Sequence, residues 1–139
     1  MKRRNEIMVA IPEPVARIVK HPDTHKIMTT VSPDGKPHGI ICASLAMDGD
    51  DTIVVAEVFM HRTAEYLANN PEVEFLVWQG KMGYSLKARV SNRLTEGELF
   101  DKMCVALDKF NLTPVAVWEF KVYEIWDESA SKTAGEQVV

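Results

Sequence analysis

Short stretches in which apolar and polar residues alternate dominate the chain, a pattern typical of β-strands that bury one face. The pattern predicts six strands. They cover residues 25–31, 38–45, 52–58, 72–78, 84–94 and 115–126. Turn-forming residues such as Asp34-Gly35 and Asp48-Gly49 separate the first three. Successive strands joined by tight turns pair antiparallel, so the chain is predicted to be β-rich with an antiparallel sheet.

Apolar residues at helical spacing predict three short helices, at 12–20, 62–69 and from about 96 to 109. Thr95 and Glu98 match a capping box at the start of the third helix. Leu99, Met103, Ala106 and Phe110 are predicted to share its apolar face. Six antiparallel strands with short flanking helices fit an α+β fold, a small β-barrel that is closed or nearly closed.

Composition narrows the functional classes. The 139 residues are 46% hydrophobic, which suits one globular domain. A net charge of −4 argues against nucleic acid as the main partner. No apolar run reaches the ~20 residues of a membrane helix, and no long apolar segment follows the basic start at residues 2–4, so neither a membrane span nor a signal peptide is expected. Cytoplasm is the predicted location.

The two cysteines, Cys42 and Cys104, lie far apart in the chain. The sequence has no CxxC or HExxH motif and no compact cluster of His and Cys. No metal site is therefore predicted. In its predicted strand, Cys42 is expected to be a small buried apolar residue rather than a reactive thiol.

The segment from Phe59 to Pro71 carries the clearest chemical signal. It leaves a buried strand, passes through a short loop and enters a helix that Asn70-Pro71 ends. Arg62 and Thr63 stand at the start of that helix, where the backbone N–H groups lack internal partners and the helix dipole favours an anion. Thr63 is also suited to be the helix N-cap. The segment predicts a site for a phosphorylated ligand.

Four motifs occur together in this order: the Asp34–His38 turn, Phe59–Thr63, the Leu67…Asn70-Pro71-Glu72-Val73 segment, and the strand Gly83–Ala88. Together they resemble the FMN-binding split-barrel superfamily, which includes pyridoxamine phosphate oxidases and small FMN-binding flavoproteins. The resemblance implies a homodimer with FMN at the interface. It also implies a single FMN-binding domain at 1–128. The small, polar tail, 129–139, is expected to be disordered unless a partner holds it.

The resemblance also implies the cofactor contacts. Arg62 and Thr63 would hold the FMN phosphate, and the flavin ring and ribityl chain would lie along the ends of the second and third strands. The residues at those ends are Ile41, Cys42, Ala43, Glu57, Val58 and Met60. His61 in the same loop and Trp78 near a turn are further candidates. An aromatic residue of the second subunit is expected at the ligand, with Trp78, Tyr84 and Trp126 as candidates.

The resulting hypothesis is an FMN-binding flavoprotein, a flavin-dependent oxidoreductase or electron carrier for a small molecule, with no side chain predicted to be catalytic. The region 126–139 lacks the arginine-containing substrate motif of pyridoxamine phosphate oxidases, which argues against pyridoxamine phosphate as substrate. Three alternatives remain. The barrel would bind haem, or a deazaflavin with help from Lys81, Lys87 and Arg89, or it would be a non-enzymatic flavin-binding module.

Overall fold

The computed structural model describes residues 8–139. The basic start of the chain, where no signal peptide is expected, lies outside these residues. Three helices and seven strands follow one another. They are α1 Glu13–Lys20, β1 His25–Val31, β2 Pro37–Ile41, β3 Ala46–Met47, β4 Thr52–Glu57, α2 His61–Asn69, β5 Glu72–Gln79, β6 Met82–Leu94, α3 Glu98–Asp108 and β7 Ala116–Asp127.

All seven strands belong to one antiparallel sheet with the order β2-β1-β5-β6-β7-β4-β3. The two edge strands, β2 and β3, are consecutive in the chain. In the connection between them, the Ser44 hydroxyl accepts a hydrogen bond from the Ala56 backbone N–H at 3.0 Å, which ties this connection to β4. The β-rich split barrel is therefore confirmed. The predicted strand at 38–45 is shorter in the structure, where β2 ends at Ile41, and the two-residue strand β3 that follows it was not predicted, so the sheet has seven strands instead of six.

Alternation along the strands creates the core. Val73, Phe75 and Val77 of β5 point inward, while Glu72 and Glu74 point outward. Phe75 meets Phe120 of β7 edge to face, with ring centroids 5.1 Å apart. This edge-to-face pair joins β5 and β7 within the core.

The third helix differs from its prediction. Its N-cap is Gly97, whose φ of +103° favours glycine, and no side chain caps the helix. The predicted capping box at Thr95 does not form because the helix starts at Glu98. Leu107 is the buried residue of α3, whereas the predicted face residues Ala106 and Phe110 are exposed.

The segment after β7 folds back along that strand. The Val138 N–H donates to the Ile125 carbonyl at 2.8 Å, and the Gly135 N–H donates to the Asp127 carbonyl at 2.7 Å. Strand β4 pairs with β7 only as far as Lys121, so the later part of β7 has a free edge that the segment covers. The segment thus lies against β7 in the structure, and its disorder in solution stays a prediction.

Within residues 8–139, every helix is too short or too polar to cross a membrane.

Candidate functional site

A groove runs across one end of the barrel, from the β2–β3 connection over the end of β4 to the start of α2. It comprises three adjoining cavities. The first, the apolar cavity, has a volume of about 220 Å³, and the second, the helix-start cavity, about 300 Å³. The third, the turn cavity beside the β1–β2 turn, has about 290 Å³. Ile40, Phe59 and Met60 line the first two, while His38 and Arg62 line the last two.

The apolar cavity is lined by side chains without formal charge. Ser44 is the only lining residue with a hydroxyl, and that hydroxyl already accepts from Ala56. Burial raises the pKa of the Cys42 thiol to about 12, so the thiol stays protonated at neutral pH. The lining residues are Ile40, Ile41, Cys42, Ala43, Ser44, Val55, Ala56, Val58, Phe59, Met60, Leu107 and Leu112.

The helix-start cavity opens on the first turn of α2. Met60 is the N-cap and supplies no side-chain hydrogen bond, so the N–H groups of the first turn have no side-chain cap. No acidic residue stands in that turn. His61, Arg62 and Thr63 all line the cavity. The positive end of α2 therefore faces a cavity lined by a cationic side chain, an arrangement that favours an anionic ligand.

Thr63 has an unusual environment. Its side chain is 1% exposed, yet its hydroxyl oxygen has no hydrogen-bond partner among residues 8–139. It occupies the third position of α2, so the prediction of Thr63 as N-cap is wrong. The backbone of Met60 is non-helical, with φ −146° and ψ 52°, so the N-cap lies three residues before Thr63. A buried hydroxyl without a partner costs about 1–3 kcal/mol, and a ligand oxygen in the cavity would relieve that cost.

Arg62 is exposed and contacts the aromatic side chain of Tyr66. Its Nη2 donates to the Tyr66 hydroxyl at 3.3 Å, and its guanidinium lies 5.9 Å from the centre of the Tyr66 ring. His38 meets the same ring edge-on at 5.2 Å. Among the arginines of residues 8–139, Arg17, Arg89 and Arg93 each pair with a carboxylate, and Arg62 does not.

The turn cavity is more polar than the other two. Ser32, Asp34, Lys36, Pro37, His38, Arg62 and Tyr66 line it. A hydrogen bond from the Ser32 hydroxyl lowers the pKa of Asp34, which also pairs with Lys36 at 3.5 Å. The only acid of this cavity is thus already bound to protein groups, and Arg62 keeps its positive charge available.

Glu57 lines none of these cavities. Its Oε1 accepts hydrogen bonds from Trp118 Nε1 at 2.8 Å and from Arg93 Nε at 3.2 Å. Its carbonyl accepts from the Val115 N–H at 2.8 Å. These contacts fix the end of β4, which leads into Val58 and Met60. The side chain of Glu57 holds the strand in place and does not face the groove.

Trp78 borders a separate cavity of about 470 Å³, which adjoins the groove through Ile41 and Ala43. It stacks on His25, with ring centroids 5.1 Å apart and planes inclined by 27°. Of the other aromatic candidates, Tyr84 is buried, and Trp126 donates to Glu124. Trp78 is therefore the candidate aromatic side chain that lies next to the groove.

The structure brings eight of the predicted cofactor contacts to the groove, places Trp78 beside it and directs Glu57 elsewhere. Sequence reasoning did not find Tyr66, His38, Leu107 or Leu112. The spacing of four between Arg62 and Tyr66 was a usable signal, since residues four apart on a helix meet. Among residues 8–139, no cluster of three or more His, Cys, Asp or Glu side chains could hold a metal ion.

The family model described as pyridoxamine 5′-phosphate oxidase matches residues 15–128. No curated protein matches the chain. Among solved structures, an FMN-binding protein from Syntrophomonas wolfei has a TM-score of 0.78 at 23% identity, with 86% of this chain and 87% of that chain covered. HupZ of Group A Streptococcus has a TM-score of 0.77 at 19% identity, with 90% and 99% covered.

A protein described as F420 reductase has a TM-score of 0.65 at 16% identity, with 83% of this chain and 98% of that chain covered. At these identities the likeness to solved structures concerns the fold alone. All three share the split-barrel architecture described above over most of their length.

Proposed function

The chain belongs to the pyridoxamine 5′-phosphate oxidase family, and we propose that it is an FMN-binding flavoprotein that works as an oxidoreductase or electron carrier for a small molecule. One observation carries the proposal. The start of α2 presents Arg62, which pairs with no carboxylate in residues 8–139, together with the buried hydroxyl of Thr63, which has no hydrogen-bond partner there. Both groups suit a phosphate oxygen.

The apolar cavity fits the flavin ring in chemical character. Its walls are mostly apolar, and the strand ends at Ile41–Ala43 and Val58–Met60 contribute to them. The cavity is smaller than the ~300–1,000 Å³ of typical ligand sites, and the helix-start cavity extends it toward Arg62. FMN would therefore lie along the groove, with its ring in the apolar cavity and its phosphate at α2.

Bound flavin would supply the redox chemistry, and the chain would bind it, orient it and limit the access of water. Leu107 of α3 and Leu112 after it close one side of the apolar cavity. The protonated Cys42 thiol is a neutral wall of that cavity, which argues against a role as nucleophile. The side chains of this cavity are thus assigned to binding and shielding.

We infer a homodimer from the outer face of the sheet. Ile27 of β1 lies opposite Ile41 of β2 and Leu76 of β5 in the register of the strands. Trp78 follows two residues after Leu76 on the same face, and Ile41 is 84% exposed. A second copy of the chain would cover this apolar row and bring Trp78 toward the partner's groove. Ile41→Asp is expected to give monomers in sedimentation, while Val105→Asp on α3 serves as the control.

Pyridoxamine phosphate is not the proposed substrate, because the segment 126–139 contains no arginine. A deazaflavin is also less favoured. Two of the three cations considered for its acidic tail, Lys87 and Arg89, are paired with Glu74 and Glu72. A dense cationic groove is therefore not formed by these side chains.

Purification and denaturation of the protein test the cofactor directly. A yellow protein that releases FMN, identified by mass spectrometry, is the expected result. A colourless protein that also takes up no added FMN would contradict the proposal, and release of a deazaflavin would replace FMN with the alternative cofactor. Reduction of the bound flavin by a nicotinamide donor or a partner protein would then separate a redox protein from a non-enzymatic flavin-binding module.

A further inference from the structure

Tyr66 stands one helical turn after Arg62 and lines the turn cavity with it. The Tyr66 hydroxyl accepts a hydrogen bond from Arg62 Nη2 at 3.3 Å. A phenol can accept and donate at the same time. Among residues 8–139, the hydroxyl has no acceptor for its own hydrogen. Tyr66 therefore has a donor available beside the cation that the proposed function assigns to the phosphate.

The direction of that donor is restricted by packing. The Tyr66 ring lies under the Arg62 guanidinium and is met edge-on by His38 of β2. Tyr66 lines the turn cavity, and its two neighbours, His38 and Arg62, line both that cavity and the helix-start cavity. Contacts on two sides of the ring limit its rotation and keep the hydroxyl near the guanidinium.

Another cluster of the same protein shows what such a pair does with an oxyanion. On the outer face of the sheet, Arg89 lies 5.5 Å from the centre of the Tyr123 ring. Glu72 accepts a hydrogen bond from Arg89 and one from the Tyr123 hydroxyl, the latter at 2.7 Å. One carboxylate thus joins a guanidinium and a phenol, and charge-assisted bonds of this kind are the strong ones.

We propose that Tyr66 is a ligand-binding residue whose hydroxyl donates to a phosphate oxygen that Arg62 also binds. The proposal rests on the proposed function, because it concerns the phosphate end of the same groove. The ligand class is a phosphate monoester that reaches the start of α2. Tyr66 also positions Arg62 through the bond that it accepts, and it has no role in the redox chemistry.

The test compares FMN with riboflavin, which lacks the phosphate, by titrating each into the flavin-free protein and following flavin fluorescence. Tyr66→Phe keeps the ring under Arg62 and removes only the hydroxyl. It is expected to weaken FMN binding by roughly tenfold or more, the effect of one hydrogen bond to a charged group. Riboflavin affinity is expected to stay unchanged.

Tyr123→Phe is the matched control, because it removes the other tyrosine hydroxyl of an arginine–tyrosine pair, which bonds to Glu72 and lines none of the three cavities of the groove. It should leave both affinities unchanged. Equal FMN affinity in Tyr66→Phe and the wild type would overturn the role of Tyr66 and leave the proposed function standing. Equal loss for FMN and riboflavin would mean that Tyr66 only supports the fold. A wild-type protein that binds no FMN would overturn both proposals together.

Discussion

Two arginine–tyrosine pairs in this protein have similar geometry and different surroundings. In both, a guanidinium lies over a tyrosine ring, at 5.9 Å for Arg62 and Tyr66 and at 5.5 Å for Arg89 and Tyr123. Arg89 and Tyr123 share the carboxylate of Glu72. Arg62 and Tyr66 share no carboxylate among the described residues and face a groove. We call Arg89, Tyr123 and Glu72 the closed cluster, and Arg62 and Tyr66 the open cluster.

The charge of the open cluster, unpaired within residues 8–139, indicates where an external anion would bind. A cation whose charge is matched within the fold has little to gain from a ligand, whereas Arg62 stands at the positive end of a helix with no acid in the first turn. That position is mildly unfavourable for a cation and favourable for an anion. The closed cluster, by contrast, links β5, β6 and β7 and stabilises the sheet.

Closing the open cluster should have the largest effect. His38→Glu places a carboxylate beside Tyr66 and Arg62, where it would pair with the guanidinium and repel a phosphate. We expect FMN affinity to fall by roughly a hundredfold or more, since a charged hydrogen bond is lost and like charges are brought together. Riboflavin affinity should not change. Calorimetric titration measures both, with His38→Gln as the neutral control. Unaltered FMN binding in His38→Glu would place the phosphate away from Arg62.

Removing the cation comes next in size. Arg62→Ala is expected to weaken FMN binding by about 1.5–3 kcal/mol, or roughly ten- to a hundredfold, because a hydrogen bond to a charged group is lost. Arg89→Ala, which opens the closed cluster, should leave FMN affinity unchanged. Flavin fluorescence titration compares the two. If both variants bind FMN like the wild type, Arg62 does not belong to the site.

Thr63 allows a test in which stability and affinity change in opposite directions. Thr63→Val keeps the side-chain shape and removes a buried hydroxyl that lacks a partner. The flavin-free protein should gain about 1 kcal/mol in its free energy of unfolding in urea, while FMN affinity should fall. The matched control is Thr52→Val, because the buried Thr52 hydroxyl bonds to Asp51 and Lys121 and its loss should destabilise the protein. A destabilised Thr63→Val would mean that this hydroxyl has a partner within the fold.

Much of the fold was predictable because local patterns and tertiary contacts agree. Alternation in 72–78 and 84–94 predicts β5 and β6, and the turn chemistry at Asp34-Gly35 predicts the β1–β2 hairpin. The start of α3 was not predictable from its capping-box match. The helix starts after Gly97, which has a positive φ, and its buried residue is Leu107, which lines the apolar cavity. Such choices depend on tertiary contacts that no local pattern contains.

Some residues of the candidate site were likewise predictable from the local sequence, and others were not. Arg62 and Thr63 are consecutive in the segment that carries the helix-start signal, so the sequence could propose them together. Glu57 was also proposed, but contacts with Trp118 and Arg93, distant in the chain, turn its side chain away from the groove. His38 lies on β2, and the register of β2 against β1 sets which β2 side chains face inward. The contact of His38 with Tyr66 therefore depends on strand pairing, which the local sequence does not reveal.

The smallest expected effect is a loss of folding stability at alkaline pH, and it arises from the closed cluster alone. Burial, followed by the hydrogen bond to Glu72, raises the pKa of the Tyr123 phenol above its usual value near 10. A raised pKa means that the folded protein keeps this proton at a pH where the unfolded chain loses it. The contribution of Tyr123 to stability is therefore complete below about pH 10 and declines as the pH rises above that value. Urea unfolding at a series of alkaline pH values should show this decline.

Tyr123→Phe removes the titrating phenol and should therefore make the alkaline decline shallower, while Tyr66→Phe, in the open cluster, leaves the Tyr123 contribution in place. Absorbance of tyrosinate provides a second measurement, since the wild type should show a late titration step that Tyr123→Phe lacks. If that step persists in Tyr123→Phe, it belongs to another tyrosine. The hydrogen bond to Glu72 would then not raise the pKa of Tyr123, which would contradict the description of the closed cluster.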